Sequence, residues 1–433
     1  MKLVELKKCK IAIWGFGIEG QATADYLTQH SVEFKVLCKK SESSTRFACI
    51  TEQVDIHMLN NFDVIIKSPG ISAYNEIIKK SKARFISATA LWFANEKETK
   101  VIVITGTKGK STTSSLIAHV LNKVGKTVNL VGNIGKPLIL SSSNYDYIVM
   151  EASSFQIYDG EIQPDIAVVL NLYAEHLDWH KGEENYFNDK LMVLNNARVK
   201  IINKKNLALT RLLESTSNAD NLSYFNDNND YTIIDESIFL HNEKLVSLNE
   251  IQLLGVHNLE NILAVLSVCE VLSIDRDLVI DAIKFFKPLA HRLQNLGKIG
   301  KHFAINDSIA TTPMATIAAL NTVDTARTTL LIGGFDRGHD WSFFVDELCK
   351  VKPHLIIIAG ENAQILVSLF AHSTNNVAYL QADDLKHAIE LAQNRTPVGG
   401  TILLSPGAPS FDLFESYIKR GEFFEYYLKQ ISH

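Results

Sequence analysis

No stretch of the sequence is apolar for the roughly 20 residues that cross a bilayer. The amino end, MKLVELKKCKIAIWG, scatters charges where a signal peptide needs an unbroken apolar segment. A soluble, cytoplasmic protein with no membrane partner is expected. Cysteine is scarce: Cys9, Cys38, Cys49, Cys269 and Cys349 lie far apart without paired spacing. They read as reduced thiols, not as a disulfide framework or a zinc site. Only nine prolines accompany 22 glycines, which excludes collagen-like, low-complexity and mainly disordered chains. There is no basic excess either, with 43 Lys and Arg against 48 Asp and Glu and a formal net charge of -5. Nothing is left over to neutralise a nucleic-acid backbone, so nucleic acid is not expected as a partner.

What is present is 433 residues, too long for one core, and about 150 residues per domain points to three domains. Short Val- and Ile-rich runs recur, each followed by a Gly-containing turn and a helical pattern: KIAIWGFG, FDVIIKSPG, KVIVITGTKG, DYIVMEASS, IAVVLNLY, TLLIGG, HLIIIAGEN and TILLSPG. Continuous apolar strands alternating with helices predict parallel sheets covered on both faces, with ligands at the turns beyond the strands' carboxyl ends. The expected fold class is α/β in three domains. Residues 1–95 read as Rossmann-like, 96–295 as a P-loop ATPase-type parallel or mixed sheet, and 296–433 as a second Rossmann-like domain. Charged residues 96–100 (EKETK) connect the first two. The polar, Asn-rich stretch 217–231 is expected as an exposed excursion.

The strongest motif is Thr105-Gly106-Thr107-Lys108-Gly109-Lys110-Ser111-Thr112, between the strand VIVI and the helix SSLIAHVL. Glycines let backbone N–H groups turn inward around phosphate oxygens, and the helix amino end adds favourable partial charge. Lys110 can reach the outer phosphates, and the Ser111 or Thr112 hydroxyl can ligate Mg²⁺. The usual GxxxxGKS/T spacing would need glycine at 104, which is Ile104. The bland alternative is a Gly-rich strand–helix turn, but strand, helix and GKST together favour a nucleoside-triphosphate site.

Gly15-Phe16-Gly17-Ile18-Glu19-Gly20 fits the GxGxxG fingerprint, which alone is weak. A nicotinamide enzyme usually carries an acid at the end of the next strand. Here that strand ends in Cys38-Lys39-Lys40, so NAD is disfavoured and a phosphate or other anion suits Lys39 and Lys40 better. A tight turn without a ligand is the alternative. Glu151 closes the strand DYIVM, and Glu175-His176-Leu177-Asp178-Trp179-His180 follows IAVVLN. Both can converge beside the phosphate loop, where a carboxylate and an imidazole are plausible magnesium ligands; singly, each reads as a cap or surface residue. His257, Asn258 and Asn261 either cap a helix or contact a base.

In order, these motifs resemble the Mur ligase family, and within it the glutamate-adding members, over essentially the whole chain. The set comprises GFGIEG and SPGI (68–71), then TGTKGKST, GNIG (132–135), EASSFQ, LNLYAEHLDWH and HNLEN. It continues with His291-Arg292, INDS (305–308), GGFDRG (333–338) and SPGAPSFDLFESYIKRG. The resemblance implies a monomeric, ATP- and Mg²⁺-dependent ligase of peptidoglycan precursor synthesis, adding D-glutamate to UDP-N-acetylmuramoyl-L-alanine through an acyl phosphate. It implies acceptor contacts at Gly17, Ile18, Glu19, Lys39, Lys40, Ser68, Pro69, Gly70 and Asn133. ATP would meet the loop from Gly106 to Thr112 together with Asn261, Arg292 and Asp307, and magnesium would meet Ser111, Glu151, His176 and Lys190. Lys190 matches a lysine carried as a carbamate, and Lys110, His176 and Lys190 form the catalytic set. Glutamate would meet Thr311, Arg337, Ser410, Phe411 and Tyr417. The third domain is expected to swing in about hinges at 95–100 and near Leu293 to Gly297.

Several positions depart from that pattern. Glu175 lengthens the acid of the usual DHLD run, Lys108 replaces an Asn in the phosphate loop, and Cys38 stands at the uracil-side Asp. The segment SATALWFA lacks the acids of many relatives. The NDSK run reads Asn306-Asp307-Ser308-Ile309, so a cation is missing near the amino-acid substrate; the altered segment is compatible with L-glutamate, the alternative to D. Three readings compete with this one: a folylpolyglutamate-synthase-like ligase, a P-loop kinase or nucleotide-binding regulator, and, further off, a nicotinamide oxidoreductase.

Overall fold

The apolar runs become strands, as a computed structural model describes for residues 1–96, 98–214, 222–227, 231–373 and 377–431. The chain divides into two units, Met1–Ser247 with Asn258–Phe285, and Leu248–His257 with Phe286–His433. No helix among the described residues is long and apolar enough to cross a membrane.

The first unit opens with β1 (Ile11–Trp14), β2 (Lys35–Leu37), β3 (Cys49–Ile50), β4 (Val64–Lys67) and β5 (Arg84–Ile86), all parallel in the order β3-β2-β1-β4-β5. The order reverses between β1 and β4, so the GFGIEG and SPGI turns open side by side at the carboxyl edge, where such sheets bind ligands. Next come β6 (Lys100–Thr105), β7 (Val128–Gly132), β8 (Tyr147–Glu151), β9 (Ile166–Val169), β10 (Val199–Asn203) and β11 (Leu222–Phe225). They form a parallel sheet in the order β11-β10-β9-β6-β8-β7, with the phosphate loop after β6 at its switch point. A small antiparallel sheet of β12 (Tyr231–Ile234), β13 (Ser237–Leu240) and β14 (Glu243–Ser247) follows.

Two findings differ from the sequence reading. Within the polar stretch expected as an excursion, Leu222–Phe225 is the edge strand β11 and Phe225 is buried, because its ring has an apolar sheet face to cover. Residues 217–221 and 228–230 of that stretch lie outside the described residues. Second, the change of sheet near residue 95 is not a break in the core. One cluster runs from Ile13, Val36 and Ile66 through Trp92 to Leu138, Met150 and Val103. Trp92 donates its indole N–H to Ser141 O at 3.0 Å.

The second unit holds β15 (Gln294–Ile299), β16 (His302–Asn306), β17 (Thr328–Ile332), β18 (Leu355–Ile358), β19 (Tyr379–Gln381) and β20 (Thr401–Leu404), in the order β15-β16-β20-β17-β18-β19. Only the β15–β16 pair is antiparallel. Apolar clusters cover both faces. The neighbouring strands β16, β20 and β17 place the NDSI, SPGAPS and GGFDRG turns together at one edge.

Candidate active site

The phosphate loop needs its glycines for two separate reasons. Gly106 and Gly109 have φ of 148° and 86°, in the region that disfavours side chains. A Cβ at Gly109 would also lie 2.3 Å from Asn261 Oδ1, and one at Gly106 2.9 Å from Leu170 Cβ. Asn171, just beyond β9, shapes the loop: its Oδ1 accepts from Lys108 N at 2.8 Å and its carbonyl from Thr107 N at 3.0 Å. The Thr107 hydroxyl is taken up by Tyr173 O and Tyr186 OH. Lys110 opens the helix Lys110–Lys123 and curls back, donating to Gly106 O and Thr107 O at 2.9 Å each. An ammonium is therefore held against the loop carbonyls at a helix amino end, a place that suits an anion. Ser111 and the buried Thr112 follow in the first turn.

Glu151 is 1% exposed at the end of β8. Its Oε1 accepts from Asn133 Nδ2 at 2.8 Å, while Oε2 is buried without a hydrogen-bond partner. A lone buried carboxylate oxygen is costly, and a cation is what would satisfy it. Lys190, on the helix Glu183–Leu191, is 2% exposed and reaches Gly106 O at 3.3 Å, its ammonium 5.0 Å from the Tyr186 ring. Burial, with Lys110 nearby, pushes its pKa well below the usual lysine range, so the amine is held towards neutrality. His176 caps the short helix Leu177–His180 with φ 55°, and burial lowers its pKa against the opposing pull of Glu175. The two departures noted above answer each other: Lys108 Nζ donates to Glu175 Oε1 at 2.7 Å. No group of three or more His, Cys, Asp or Glu that could hold a metal occurs among the described residues.

At the carboxyl edge of the first sheet, Ser68 Oγ donates to Gly15 O at 3.1 Å, and a Cβ on Gly15 would strike that hydroxyl at 2.6 Å. The two turns, one carrying Gly17, Ile18 and Glu19 and the other Ser68, Pro69 and Gly70, touch through this contact. Gly17 and Gly70 face open space. Lys39 and Lys40 are exposed at the end of the neighbouring strand β2. Asn133 stands apart from this group, on Glu151. Burial raises Glu19 to about 7, opposed by Gln156 and Lys67. Sequence reasoning missed Lys67 and Asp159, a buried ion pair, and Glu42, whose carboxylate accepts from Phe16 N at 3.4 Å in the glycine turn. The one available signal was a lysine closing an apolar strand, VIIK.

In the second unit, Asp307 is 5% exposed, and burial pushes it to about 6. Its oxygens already accept from Leu293 N at 3.0 Å and Ser405 Oγ at 2.8 Å. Arg292 precedes Leu293 and lies close enough to draw the Asp307 pKa down. Arg337 stacks over Phe411 at 5.4 Å, Ser410 is buried, and Tyr417 O accepts from Ser308 Oγ at 2.8 Å. Thr311 is half-buried beyond Ile309, whose N–H donates to His291 O at 3.1 Å. Arg420, not singled out by sequence, is 4% exposed and ties Ser308 O to Ala408 O at 2.9 Å each, joining the NDSI and SPGAPS turns.

A model of the Mur ligase middle domain matches residues 104–269. The chain is 36% identical, over 98% of its length and 96% of the relative's, to a UDP-N-acetylmuramoyl-L-alanine--L-glutamate ligase of Xanthomonas campestris pv. campestris (strain 8004). Among solved structures, UDP-N-acetylmuramate-alanine ligase MurC from Thermotoga maritima matches with a TM-score of 0.63 at 18% identity, over 98% of this chain and 100% of that one. MurF ligase from Thermotoga maritima, solved in complex with ADP, matches with a TM-score of 0.59 at 14% identity, over 99% and 97%. These two likenesses concern the fold.

Proposed function

The chain belongs to the Mur ligase family, and from that premise we propose that it is an ATP-dependent, ADP-forming amide ligase joining glutamate to UDP-N-acetylmuramoyl-L-alanine in cytoplasmic peptidoglycan precursor synthesis, acting as a monomer. The observation that carries the nucleotide half is the Lys110 ammonium folded over the glycine loop at the switch point of the second sheet. The substrates come from the relatives' names.

A carboxylate is a poor electrophile towards an amine. An acceptor carboxylate oxygen attacks the γ-phosphorus of ATP, the bond to ADP breaks, and the acyl phosphate gains a leaving group. The glutamate nitrogen then attacks the carbonyl carbon, the carbon–oxygen bond to phosphate breaks, and the amine proton is lost. The chain's work is positioning and charge neutralisation. Lys110 and the amino end of its helix hold phosphate oxygens, and Asn261, Arg292 and Asp307 serve the nucleoside. Glu151, with its unpartnered oxygen, fits magnesium, and Ser111, His176 and Lys190 would complete its surroundings; the ion would supply charge neutralisation on the phosphates. Burial, which draws the Lys190 pKa down, favours the free amine that takes up CO₂, with loss of a proton, to give a carbamate oxygen ligand. Gly17, Ile18, Glu19, Lys39, Lys40 and Ser68 to Gly70 serve the acceptor, while Asn133 orients Glu151. Thr311, Arg337, Ser410, Phe411 and Tyr417 serve glutamate, with Arg337 suited to a carboxylate. In this reading 1–95 binds the acceptor, 96–295 the nucleotide and 296–433 the amino acid.

The enantiomer we propose is L. The relatives are named for L-glutamate, and Ile309 leaves one charge fewer to orient a carboxylate than the NDSK run would; D-glutamate, the choice from sequence, is the second reading. With ATP, Mg²⁺ and UDP-N-acetylmuramoyl-L-alanine, phosphate release is expected with L-glutamate. Preference for D reverses the enantiomer and leaves the ligase standing; release with neither removes both.

A further inference from the structure

One buried polar chain beside the phosphate loop is unused by the roles above. His180, 0% exposed, holds Asp189 Oδ2 at 2.6 Å through Nδ1 and Ser154 Oγ at 2.9 Å through Nε2. Tyr74 OH donates to both Asp189 oxygens at 3.0 and 3.1 Å. The rings of Phe155, Trp179 and Tyr186 surround the imidazole at 5.4, 4.5 and 5.1 Å. A carboxylate only accepts, so Nδ1 is the nitrogen that donates to Asp189, and in that neutral tautomer Nε2 accepts from the Ser154 hydroxyl. The order of groups is that of a nucleophile triad. Yet Ser154 and Asp189 are only 2% and 4% exposed, so no substrate can reach the serine. The chain must act on its neighbours.

Those neighbours are the residues assigned to the metal–phosphate site. Ser154 opens the helix after β8, three residues beyond Glu151. His180 ends the helix that His176 caps, and its N–H donates to His176 O at 3.3 Å. Asp189 immediately precedes Lys190 on the next helix. We propose that His180 is a positioning residue whose two ring nitrogens, by clamping Ser154 and Asp189, fix Glu151, His176 and Lys190 relative to one another. The proposal rests on the ligase reading for what those three residues do. A buried network with every member satisfied is rigid, and groups behind metal ligands commonly govern affinity or activity by ~10–100-fold.

The test compares His180→Asn, whose amide can still reach Asp189, with His180→Gln, whose amide can reach Ser154. Two readouts are taken on each: the Mg²⁺ dependence of phosphate release, and Mn²⁺ binding by EPR in the presence of a non-hydrolysable ATP analogue. Both variants are expected to fold by circular dichroism and to weaken Mn²⁺ binding and raise the Mg²⁺ requirement by ~10–100-fold, with the acceptor KM unchanged. Folded variants with wild-type Mn²⁺ affinity and Mg²⁺ requirement would overturn the proposal. If neither folds, Ser154→Ala, which deletes one bond, decides on the same readouts: weaker Mn²⁺ binding supports the clamp, and wild-type binding overturns it. A wild-type protein that releases no phosphate with acceptor and glutamate removes the ligase reading, while the Mn²⁺ titration still decides the clamp.

Discussion

Lys67 ends an otherwise apolar strand, and its ammonium, 2% exposed, pairs with Asp159, 11% exposed, at the end of the helix Ser154–Asp159. The same ammonium donates to Ile71 O at 2.8 Å. Burial pushes the Asp159 pKa up, and Lys67 is the main group holding it down. Lys67→Met keeps most of the side-chain volume, so little of its effect is a cavity; it leaves a buried carboxylate uncompensated beside Glu19. Breaking a buried pair from one side costs about 3–5 kcal/mol, whereas replacing both partners with apolar residues is often neutral. Lys67→Met is therefore expected to cost about 4 kcal/mol and the double variant Lys67→Met/Asp159→Leu under about 1 kcal/mol. Urea denaturation followed by tryptophan fluorescence suits the measurement, because Trp179 lies 5.7 Å from the Lys67 ammonium. With a slope near 3 kcal/mol per M, the single variant's midpoint falls by more than about 1 M. A single substitution costing under about 1 kcal/mol, or a double variant as costly as the sum of the singles, refutes the reasoning.

Glu19 gives a pH test: the folded carboxyl, raised from 4.5 to about 7 by burial, binds a proton that the unfolded chain has lost across that window. Stability therefore falls as pH rises through it, by up to about 3 kcal/mol, and Glu19→Gln should remove most of that slope between pH 5 and 8; parallel slopes for both proteins would refute it. Lys190→Ala should abolish ligation and regain part of it with a short carboxylate such as formate or acetate. Full activity without an additive would reduce Lys190 to a packing residue.

Local pattern carried a good deal of the structure. Runs such as IAIW, VIIK, VIVIT and LIII are strands because residues apolar on both faces of a sheet leave no alternation to misread. The left-handed backbone at Gly106 and Gly109 was legible because that turn is one continuous segment between strand and helix. What stayed hidden was pairing across distance. Lys67 meets Asp159 across 92 residues and Tyr74 meets Asp189 across 115, and no periodicity records such partners. Lys108 and Glu175 each stood out as odd, but only the fold shows that they satisfy one another across 67 residues. LSYF in an Asn-rich setting looked polar by composition; its place beside β10 gives Phe225 a face to cover.

The unbroken apolar cluster through Trp92 bears on how such a protein can be rebuilt. If acceptor-binding and nucleotide-binding duties divide near residue 95, the duties divide where the folding unit does not. Excising residues 1–95 would uncover Leu138 and Ile139 on the remaining half and leave Ser141 O without its indole donor. Grafting the first sheet of a relative would succeed only if that sheet brought its own matching underside. Such a chain offers its glycine turns and charged residues to variation one at a time, while the two sheets travel together.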